Sequence, residues 1–140
     1  MNIDGPIIVV EDDVEDQELL TLVFGNLNYD NRIIFFNDGP DALDFLNSTD
    51  VRPFLILSDI NMPKLDGFAL RNKVRMNTEL QNRCIPYLFF STAVSQKAVI
   101  EAYNASVQGF FVKPDSFSEL EKTVGAIMEY WKRCSSPNNF

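Results

Sequence analysis

The stretch LILSDINMPKLDG, which spans Leu55–Gly67, places Asp59 directly after an apolar run and directly before a turn that contains Pro63. The run Phe54–Leu57 is typical of a buried strand, and proline and glycine are frequent turn residues. An aspartate at this position lies at the rim of a sheet, where its carboxylate can act on a ligand. Taken alone, Asp59 is more simply explained as a turn residue, so the rest of the chain must decide between the two roles.

This stretch belongs to a regular alternation of five strand-like runs and five helical segments. The strand-like runs are Ile7–Val10, Arg32–Phe36, Phe54–Leu57, Tyr87–Phe90 and Gly109–Val112. The helical segments are Val14–Leu27, Asp41–Asn47, Gly67–Asn77, Gln96–Asn104 and Ser116–Arg133. Because the apolar runs are continuous, they are typical of strands buried on both faces. The pattern predicts an α/β fold with an open, doubly wound five-stranded parallel sheet, in which ligands bind at the carboxyl ends of the strands.

Length and composition restrict the class of protein. The 140 residues correspond to one domain, and the contents of 46% hydrophobic and 23% charged residues are those of ordinary globular proteins. A net charge of -8 argues against a nucleic-acid-binding surface, and the lack of histidine excludes His-ligated zinc and a Ser-His triad. Cys84 and Cys134 form no CxxC motif, which indicates reduced thiols in a cytoplasmic protein. The first apolar run is too short for a signal peptide or a membrane span.

Chemically active side chains follow four of the five predicted strands. They are Glu11, Asp12 and Asp13 after the first strand, Asp59 after the third, Ser91 and Thr92 after the fourth, and Lys113 and Pro114 after the fifth. In the predicted sheet these residues meet at one rim, where carboxylates repel one another and favour a divalent cation. Ligands that are all oxygen suit Mg²⁺, and a lysine and a hydroxyl beside it are typical of a phosphoryl-transfer site.

Each of these signals also has a structural explanation. The acidic run can favour the N-terminal end of a helix dipole, and Asp13 is well placed to cap that helix. Ser91 alone is more often an ordinary loop hydroxyl, and Lys113 alone is more often a solvated charge. Their joint occurrence at the ends of four strands favours a functional site over four unrelated structural roles.

Four segments together resemble the receiver domain of two-component response regulators. They are IIVVEDD (Ile7–Asp13), LILSDINMPKLDG (Leu55–Gly67), YLFFSTA (87–93) and GFFVKP (109–114). The similarity extends from about Pro6 to Cys134, which is nearly the whole chain. It implies a flavodoxin-like strand order of 2-1-3-4-5. We expect a single receiver domain over residues 1–134, a flexible C-terminal tail at 135–140 and no output domain.

The resemblance also implies how the rim works. Asp59 would accept a phosphoryl group, and Lys113 would pair with the phosphoryl oxygens. A Mg²⁺ or Mn²⁺ cofactor would be held by Glu11, Asp12, Asp59 and the main-chain carbonyl of Asn61. Pro63 and Gly67 would shape the loop after Asp59, and Pro114 would support Lys113.

Ser91 and Phe110 correspond to the switch residues of the family. Ser91 would hydrogen-bond the phosphoryl group once it forms, and Phe110 would turn into the space that Ser91 leaves. Phe110 departs from the commoner tyrosine, and Thr92 stands where many relatives have alanine or glycine. The extra bulk of Thr92 predicts hindered water attack and slower dephosphorylation. The Ser-Thr pair and the long connection MNTELQNRCIP (76–86) resemble small stand-alone receivers that work with bacteriophytochrome-type kinases.

These features predict a stand-alone signalling switch, not an enzyme, that catalyses only its own phosphorylation and dephosphorylation. Because the chain has no histidine, the phosphoryl donor would be a sensor histidine kinase, a histidine phosphotransfer protein or a small phosphodonor. The output would be protein contact or phosphate relay to a downstream protein, without nucleic acid or membrane. Tyr103, Phe110 and Phe111 are candidates for a homodimer face on the fourth helix, fifth strand and fifth helix, unless Phe111 belongs to the core.

Two other classes of protein remain open from the sequence. A degenerate receiver would bind partners without phosphate. A phosphatase of the haloacid dehalogenase type would need a second aspartate two residues after its nucleophile, where this chain has Asn61. A flavodoxin-like FMN-binding protein is excluded, because the acidic run after the first strand would repel the FMN phosphate.

Overall fold

The computed structural model describes residues 1–48, 50–92 and 94–137. They contain a five-stranded parallel sheet in the order β2-β1-β3-β4-β5, which confirms the predicted fold and strand order. The strands are β1 Ile7–Val10, β2 Ile33–Phe36, β3 Leu55–Ser58, β4 Tyr87–Ser91 and β5 Gly109–Val112. The helices are α1 Val14–Leu27, α2 Gly39–Ser48, α3 Gly67–Met76, α4 Thr78–Asn82, α5 Gln96–Asn104 and α6 Phe117–Lys132.

The described residues thus form six helices, and the predicted number of five is wrong. The additional helix, α4, lies within the long connection between the third predicted helix and the fourth strand. Asn77 caps it, because its side chain accepts a hydrogen bond from the Leu80 amide at 3.1 Å. The buried Leu80 then anchors this single turn in the core. A helix of five residues is too short to produce a recognisable 3.6-residue periodicity.

Hydrophobic cores lie on both faces of the sheet, because successive residues of each strand point to opposite sides. Ile7 and Val9 pack with α1 and α6 on one face, which we call the first core. Ile8 and Val10 pack with α2, α3 and α5 on the other face, which we call the second core. Burial on both sides holds the strands rigidly, so the residues that follow them are fixed at one rim.

Other predictions concern the cysteines, the membrane and the chain end. Cys84 and Cys134 are both free thiols. Among the described residues, no helix has the length and apolar character that crossing a membrane requires. Ser136, in the predicted tail, is buried. Residues 138–140 at the end of that tail, and Ala93 of the YLFFSTA segment, lie outside the described residues.

Candidate functional site

Three carboxylates meet at the carboxyl ends of β1 and β3. Parallel pairing places Val10 beside Ser58, so the residues that follow these strands become neighbours. The Asp59 amide donates to the Val10 carbonyl at 3.0 Å, which extends the pairing by one residue. One carboxylate oxygen from each of Glu11, Asp12 and Asp59 lies within 4.8 Å of the others. The structure therefore brings together the three acids that the sequence analysis assigned to a cation.

Asp13, the remaining acid of the run, has a different position. Its side chain accepts hydrogen bonds from the Glu15 amide at 2.9 Å and the Asp16 amide at 3.3 Å, so it caps α1. The cap starts the helix directly beyond the rim and turns the chain away from the sheet. The alternative of a helix cap thus applies to Asp13, while Glu11 and Asp12 remain at the rim.

The carboxylate of Asp59 is held from two sides. Its Oδ1 accepts hydrogen bonds from the Ile60 amide and the Ser91 hydroxyl, both at 2.7 Å. Its Oδ2 lies 3.2 Å from the Lys113 ammonium. Ser91 is fully buried, whereas Thr92 is exposed. Asp59 is therefore fixed in direction while part of its surface stays open to solvent.

Lys113 is surrounded by negative charge. Its Nζ contacts Glu11 Oε1, lies 2.9 Å from Asp16 Oδ2 and also faces Asp59. Burial alone would lower the pKa of the Lys113 ammonium, but hydrogen bonds to Glu11 and Asp16 and the nearby charges raise that pKa above its usual value. The lysine is therefore charged, and Pro114 directly follows it in a half-buried position.

Asp16 was missed by the sequence analysis. It lies in the first turn of α1, where an acid is ordinarily explained by the helix dipole. The available signal was its position three residues after the capping residue Asp13, in the first turn of α1 and close to the acidic run. Recognising its contact with Lys113 needs the distance between α1 and the end of β5, which sequence spacing does not supply.

Burial opposes the charged form of Glu11. Only 2% of this residue is exposed, and burial raises the pKa of its carboxyl to about 7, although the ion pair with Lys113 acts in the opposite direction. Lys113 contacts Glu11, Asp16 and Asp59, and Asp12 adds a fourth acid beside Glu11 and Asp59, so the rim has an excess of negative charge. A cation bound there would relieve this excess.

The donor chemistry of the rim fits a divalent cation that prefers oxygen. Glu11, Asp12 and Asp59 supply only carboxylate oxygens, which hard cations such as Mg²⁺ and Mn²⁺ favour. Asp12 is exposed, so the cluster opens to solvent and leaves room for water and phosphate ligands. Asn61 is also exposed and begins the loop that follows Ile60.

The loop after Asp59 is fixed by close backbone contacts. The Gly67 amide donates to the Ile60 carbonyl at 2.8 Å. A Cβ atom at Gly67 would lie 2.3 Å from the Asp59 carbonyl oxygen and 2.8 Å from the Phe89 ring, so glycine is required there. Lys64 adopts a left-handed conformation with φ of 69° and pairs with Asp38 at 3.2 Å.

The same loop contains Pro63, which is exposed between Asn61 and Lys64. Its carbonyl accepts a hydrogen bond from the Leu65 amide at 2.7 Å, which tightens the turn. A Cβ atom at Gly39 would lie 3.0 Å from the side chain of Leu65, so the loop also packs closely against the start of α2.

Phe110 is connected to the site through other aromatic rings. Its ring is half-buried in the second core, with its centre 6.0 Å from that of Phe89 in an edge-to-face arrangement. Phe89 in turn lies 5.3 Å from Phe68 at the start of α3 and touches the backbone region of Gly67. The rings therefore link the predicted switch residue to the loop that carries Asp59.

Of the candidates for a homodimer face, Phe111 belongs to the core, which is the alternative that the sequence left open. Phe111 packs against the first core, whereas Phe110 packs against the second. Neighbouring residues on a strand point to opposite sides of the sheet, so the two rings cannot share a face. Tyr103 is 58% exposed on α5 and remains available for contact.

Comparison with known proteins agrees with this geometry. The family model of the response regulator receiver domain matches residues 7–125. The chain belongs to this family. Receiver domains act in two-component signalling, and the haloacid dehalogenase alternative does not describe the family to which this chain belongs.

Individual relatives cover nearly the whole receiver. The probable methanogenesis regulatory protein FilR2 of Methanothrix harundinacea is 33% identical over 129 residues, covering 89% of this chain and 82% of FilR2. Response regulator Rcp1 of Synechocystis sp. is 31% identical over 130 residues, covering 89% of this chain and 87% of Rcp1.

Two solved structures have closely similar folds. The phosphorylated cyanobacterial phytochrome response regulator RcpA has a TM-score of 0.86 at 27% identity, with 95% of this chain and 98% of RcpA covered. The Mn²⁺-bound form of Rcp1 has a TM-score of 0.83 at 29% identity, with 95% and 99% covered.

Proposed function

We propose that this receiver accepts a phosphoryl group on Asp59 from the phosphohistidine of a sensor histidine kinase or a histidine phosphotransfer protein. The observation that carries the proposal is the placement of Asp59. Its carboxylate is fixed by Ser91 and the Ile60 amide, faces the Lys113 ammonium at 3.2 Å and adjoins the acids Glu11 and Asp12. This arrangement orients a nucleophile and supplies positive charge beside it.

Glu11, Asp12 and Asp59 would hold Mg²⁺ or Mn²⁺, together with the main-chain carbonyl of Asn61. When bound, the cation would supply Lewis-acid stabilisation of the phosphoryl oxygens. The excess of carboxylates around Lys113 and the Mn²⁺-bound structure of Rcp1 support this assignment. With a cation held there, Glu11, Asp12 and Asp59 would no longer repel an incoming anionic phosphoryl group.

The transfer itself exchanges one bond for another. A carboxylate oxygen of Asp59 attacks the phosphorus, and the bond from phosphorus to the donor nitrogen breaks, with the electron pair remaining on the nitrogen. Lys113 neutralises charge on the transferred oxygens, and the rigid ends of β1, β3 and β5 hold the participating groups in place. The chain needs no histidine of its own, because the partner contributes the phosphohistidine.

Phosphorylation would change the conformation of the protein through Ser91 and Phe110. The Ser91 hydroxyl now donates to Asp59, and a phosphoryl oxygen offers it a stronger acceptor at the same rim. A ligand shifts a conformational equilibrium only when its contacts differ between the two states, and this hydrogen bond provides such a difference. The edge-to-face contact of Phe110 with Phe89 would carry the change to β5 and α5.

The output would be a contact with a downstream protein or a phosphate relay in the cytoplasm, as for a stand-alone response regulator. The match of the chain to most of the length of Rcp1 supports this form of the proposal. A homodimer through α5, β5 and α6 would use Tyr103 and Phe110. On this account the protein is a switch and not an enzyme acting on separate substrates.

The test is incubation with Mg²⁺ and acetyl phosphate, followed by intact mass measurement. We expect a gain of about 80 Da, the mass of one phosphoryl group, that requires Mg²⁺. Asp59→Asn should lose the gain, whereas Asp66→Asn should retain it, because asparagine can still cap α3. If the wild type binds Mg²⁺ without gaining mass from acetyl phosphate or from phosphorylated kinases, the phosphate-independent receiver is the better description.

A further inference from the structure

Asp16 makes a contact with Lys113 that the proposed phosphoryl transfer does not use. Its Oδ2 lies 2.9 Å from the Lys113 Nζ, which is shorter than the 3.2 Å between that Nζ and Asp59. The Lys113 side chain is only 10% exposed, whereas that of Asp16 is 32% exposed. A charge-assisted hydrogen bond at this distance, from a largely buried cation, restricts the direction of the lysine head group.

The three contacts of Lys113 divide into two kinds. An ammonium group has three N–H donors, and Glu11, Asp16 and Asp59 together supply three carboxylates. Glu11 and Asp59 also belong to the trio of acids, completed by Asp12, that can surround a cation. Asp16 lies outside that trio, so its carboxylate is the one that a cation at the site leaves to Lys113.

We propose that Asp16 is a positioning residue that reserves Lys113 for the phosphoryl group and keeps it from competing for the cation ligands. This inference rests on the proposed cation site and deepens it. Without Asp16, the Lys113 ammonium has only Glu11 and Asp59 as carboxylate partners, and both must turn toward the cation. Asp16 offers a partner on α1 that stays in place when the cation arrives.

The experiment measures Mn²⁺ affinity by electron paramagnetic resonance of the free ion, at about 0.15 M salt. Asp16→Asn should raise the dissociation constant about three- to tenfold, somewhat less than the 10- to 100-fold typical of residues bonded directly to a metal ligand. Glu15→Gln is the matched control, because it removes the same charge from the same turn of α1. Screening of an exposed charge should limit the effect of Glu15→Gln to about twofold.

A double-mutant cycle separates positioning from a general charge effect. In the background Lys113→Met, Asp16→Asn should change Mn²⁺ affinity no more than Glu15→Gln does, because the lysine through which Asp16 acts is gone. Asp16→Glu should restore most of the affinity, since a longer carboxylate on the same turn can still reach Lys113. Circular dichroism confirms that the compared variants are folded.

Two outcomes overturn the inference. One is an effect of Asp16→Asn no larger than that of Glu15→Gln. The other is an undiminished effect of Asp16→Asn in the background Lys113→Met. Both are read from Mn²⁺ binding and need no phosphoryl transfer. A failure of both acetyl phosphate and phosphorylated kinases to label Asp59 would instead contradict the proposed function and leave the result for Asp16 standing.

Discussion

Two lysines show that a partly buried positive charge has different partners at the two ends of this sheet. At the carboxyl ends of the strands, the Lys113 ammonium contacts three carboxylates. At the amino ends, the Lys132 ammonium donates to the Ile3 carbonyl at 2.8 Å and lies 5.0 Å from the centre of the Phe54 ring. A carbonyl and an aromatic face stabilise the second cation without any negative charge.

The difference is one of charge balance. Within the described part of the chain, the groups that contact Lys132 are a carbonyl and aromatic rings, all neutral, so these contacts serve packing and offer no surplus charge to a ligand. The acids around Lys113 outnumber it, so binding of a cation or another proton reduces the repulsion among the carboxylates and stabilises the rim. Cation binding in this molecule therefore depends on the end of the sheet where charge is unbalanced, whereas the contacts of Lys132 at the other end contribute only to stability.

The largest expected effect concerns the backbone that supports the acidic rim. Gly67→Ala should lower the free energy of unfolding by about 2–4 kcal/mol, because its Cβ would lie 2.3 Å from the Asp59 carbonyl oxygen. Gly25→Ala is the control, since a Cβ there meets no neighbouring atom and should stabilise α1 by about 0.5–1 kcal/mol. Urea denaturation measures both values, and equal stability of the two variants would refute this account of Gly67.

The second effect is a pH dependence of Mn²⁺ affinity, which tests the excess of negative charge at the rim. Because burial raises the pKa of Glu11 to about 7, a proton competes with the cation below that pH. Mn²⁺ affinity should therefore rise as pH increases and be about tenfold weaker at pH 6 than at pH 8, as one unit of pH below a pKa implies. Glu15→Gln should keep this dependence and Glu11→Gln should lose it. Equal wild-type affinity at the two pH values would contradict the prediction.

The third effect concerns the balanced end of the sheet. Lys132→Met should lower the free energy of unfolding by about 1 kcal/mol, through loss of one hydrogen bond and the contacts with aromatic rings. Mn²⁺ affinity should stay at the wild-type value. Lys122→Met serves as control, because that lysine on the same helix is exposed and should contribute less than about 0.5 kcal/mol. A change in Mn²⁺ affinity in Lys132→Met would contradict the claim that Lys132 contributes to stability and not to cation binding.

The smallest expected effect concerns the rate of dephosphorylation at the acidic rim. Thr92 is exposed beside the buried Ser91, where its bulk can hinder a water molecule that attacks the aspartyl phosphate. Thr92→Ala should shorten the lifetime of phosphorylated Asp59 by about fivefold or less, which corresponds to under about 1 kcal/mol in the barrier. Loss of the added mass over time, after removal of acetyl phosphate, measures this lifetime. An unchanged lifetime would exclude a role for Thr92.

The sheet could be predicted from the sequence because the patterns that indicate its strands are local. Continuous apolar runs identify strands buried on both faces, and the residue after each run is fixed by chain direction alone. That is why the positions of Glu11, Asp12 and Asp59 at one rim could be predicted from their places after β1 and β3. The cap formed by Asp13 was also a local feature, read from its place directly before α1.

The remaining features depend on contacts between distant segments or on elements too short to leave a pattern. The contact of Asp16 with Lys113 joins α1 to the end of β5, across 97 positions of sequence. The single turn of α4 depends on burial of Leu80 and a cap by Asn77. The domain boundary at residue 134 and the roles assigned to the site residues stay predictions.

The central claim is that the phosphoryl group is attached to Asp59, and direct identification of the modified residue tests it. Borohydride reduces an aspartyl phosphate to homoserine, which peptide mass spectrometry can locate after treatment with Mg²⁺ and acetyl phosphate. The account predicts homoserine at position 59 in the wild type. Homoserine at position 12 instead, or phosphorylated protein that yields none at position 59, would contradict it.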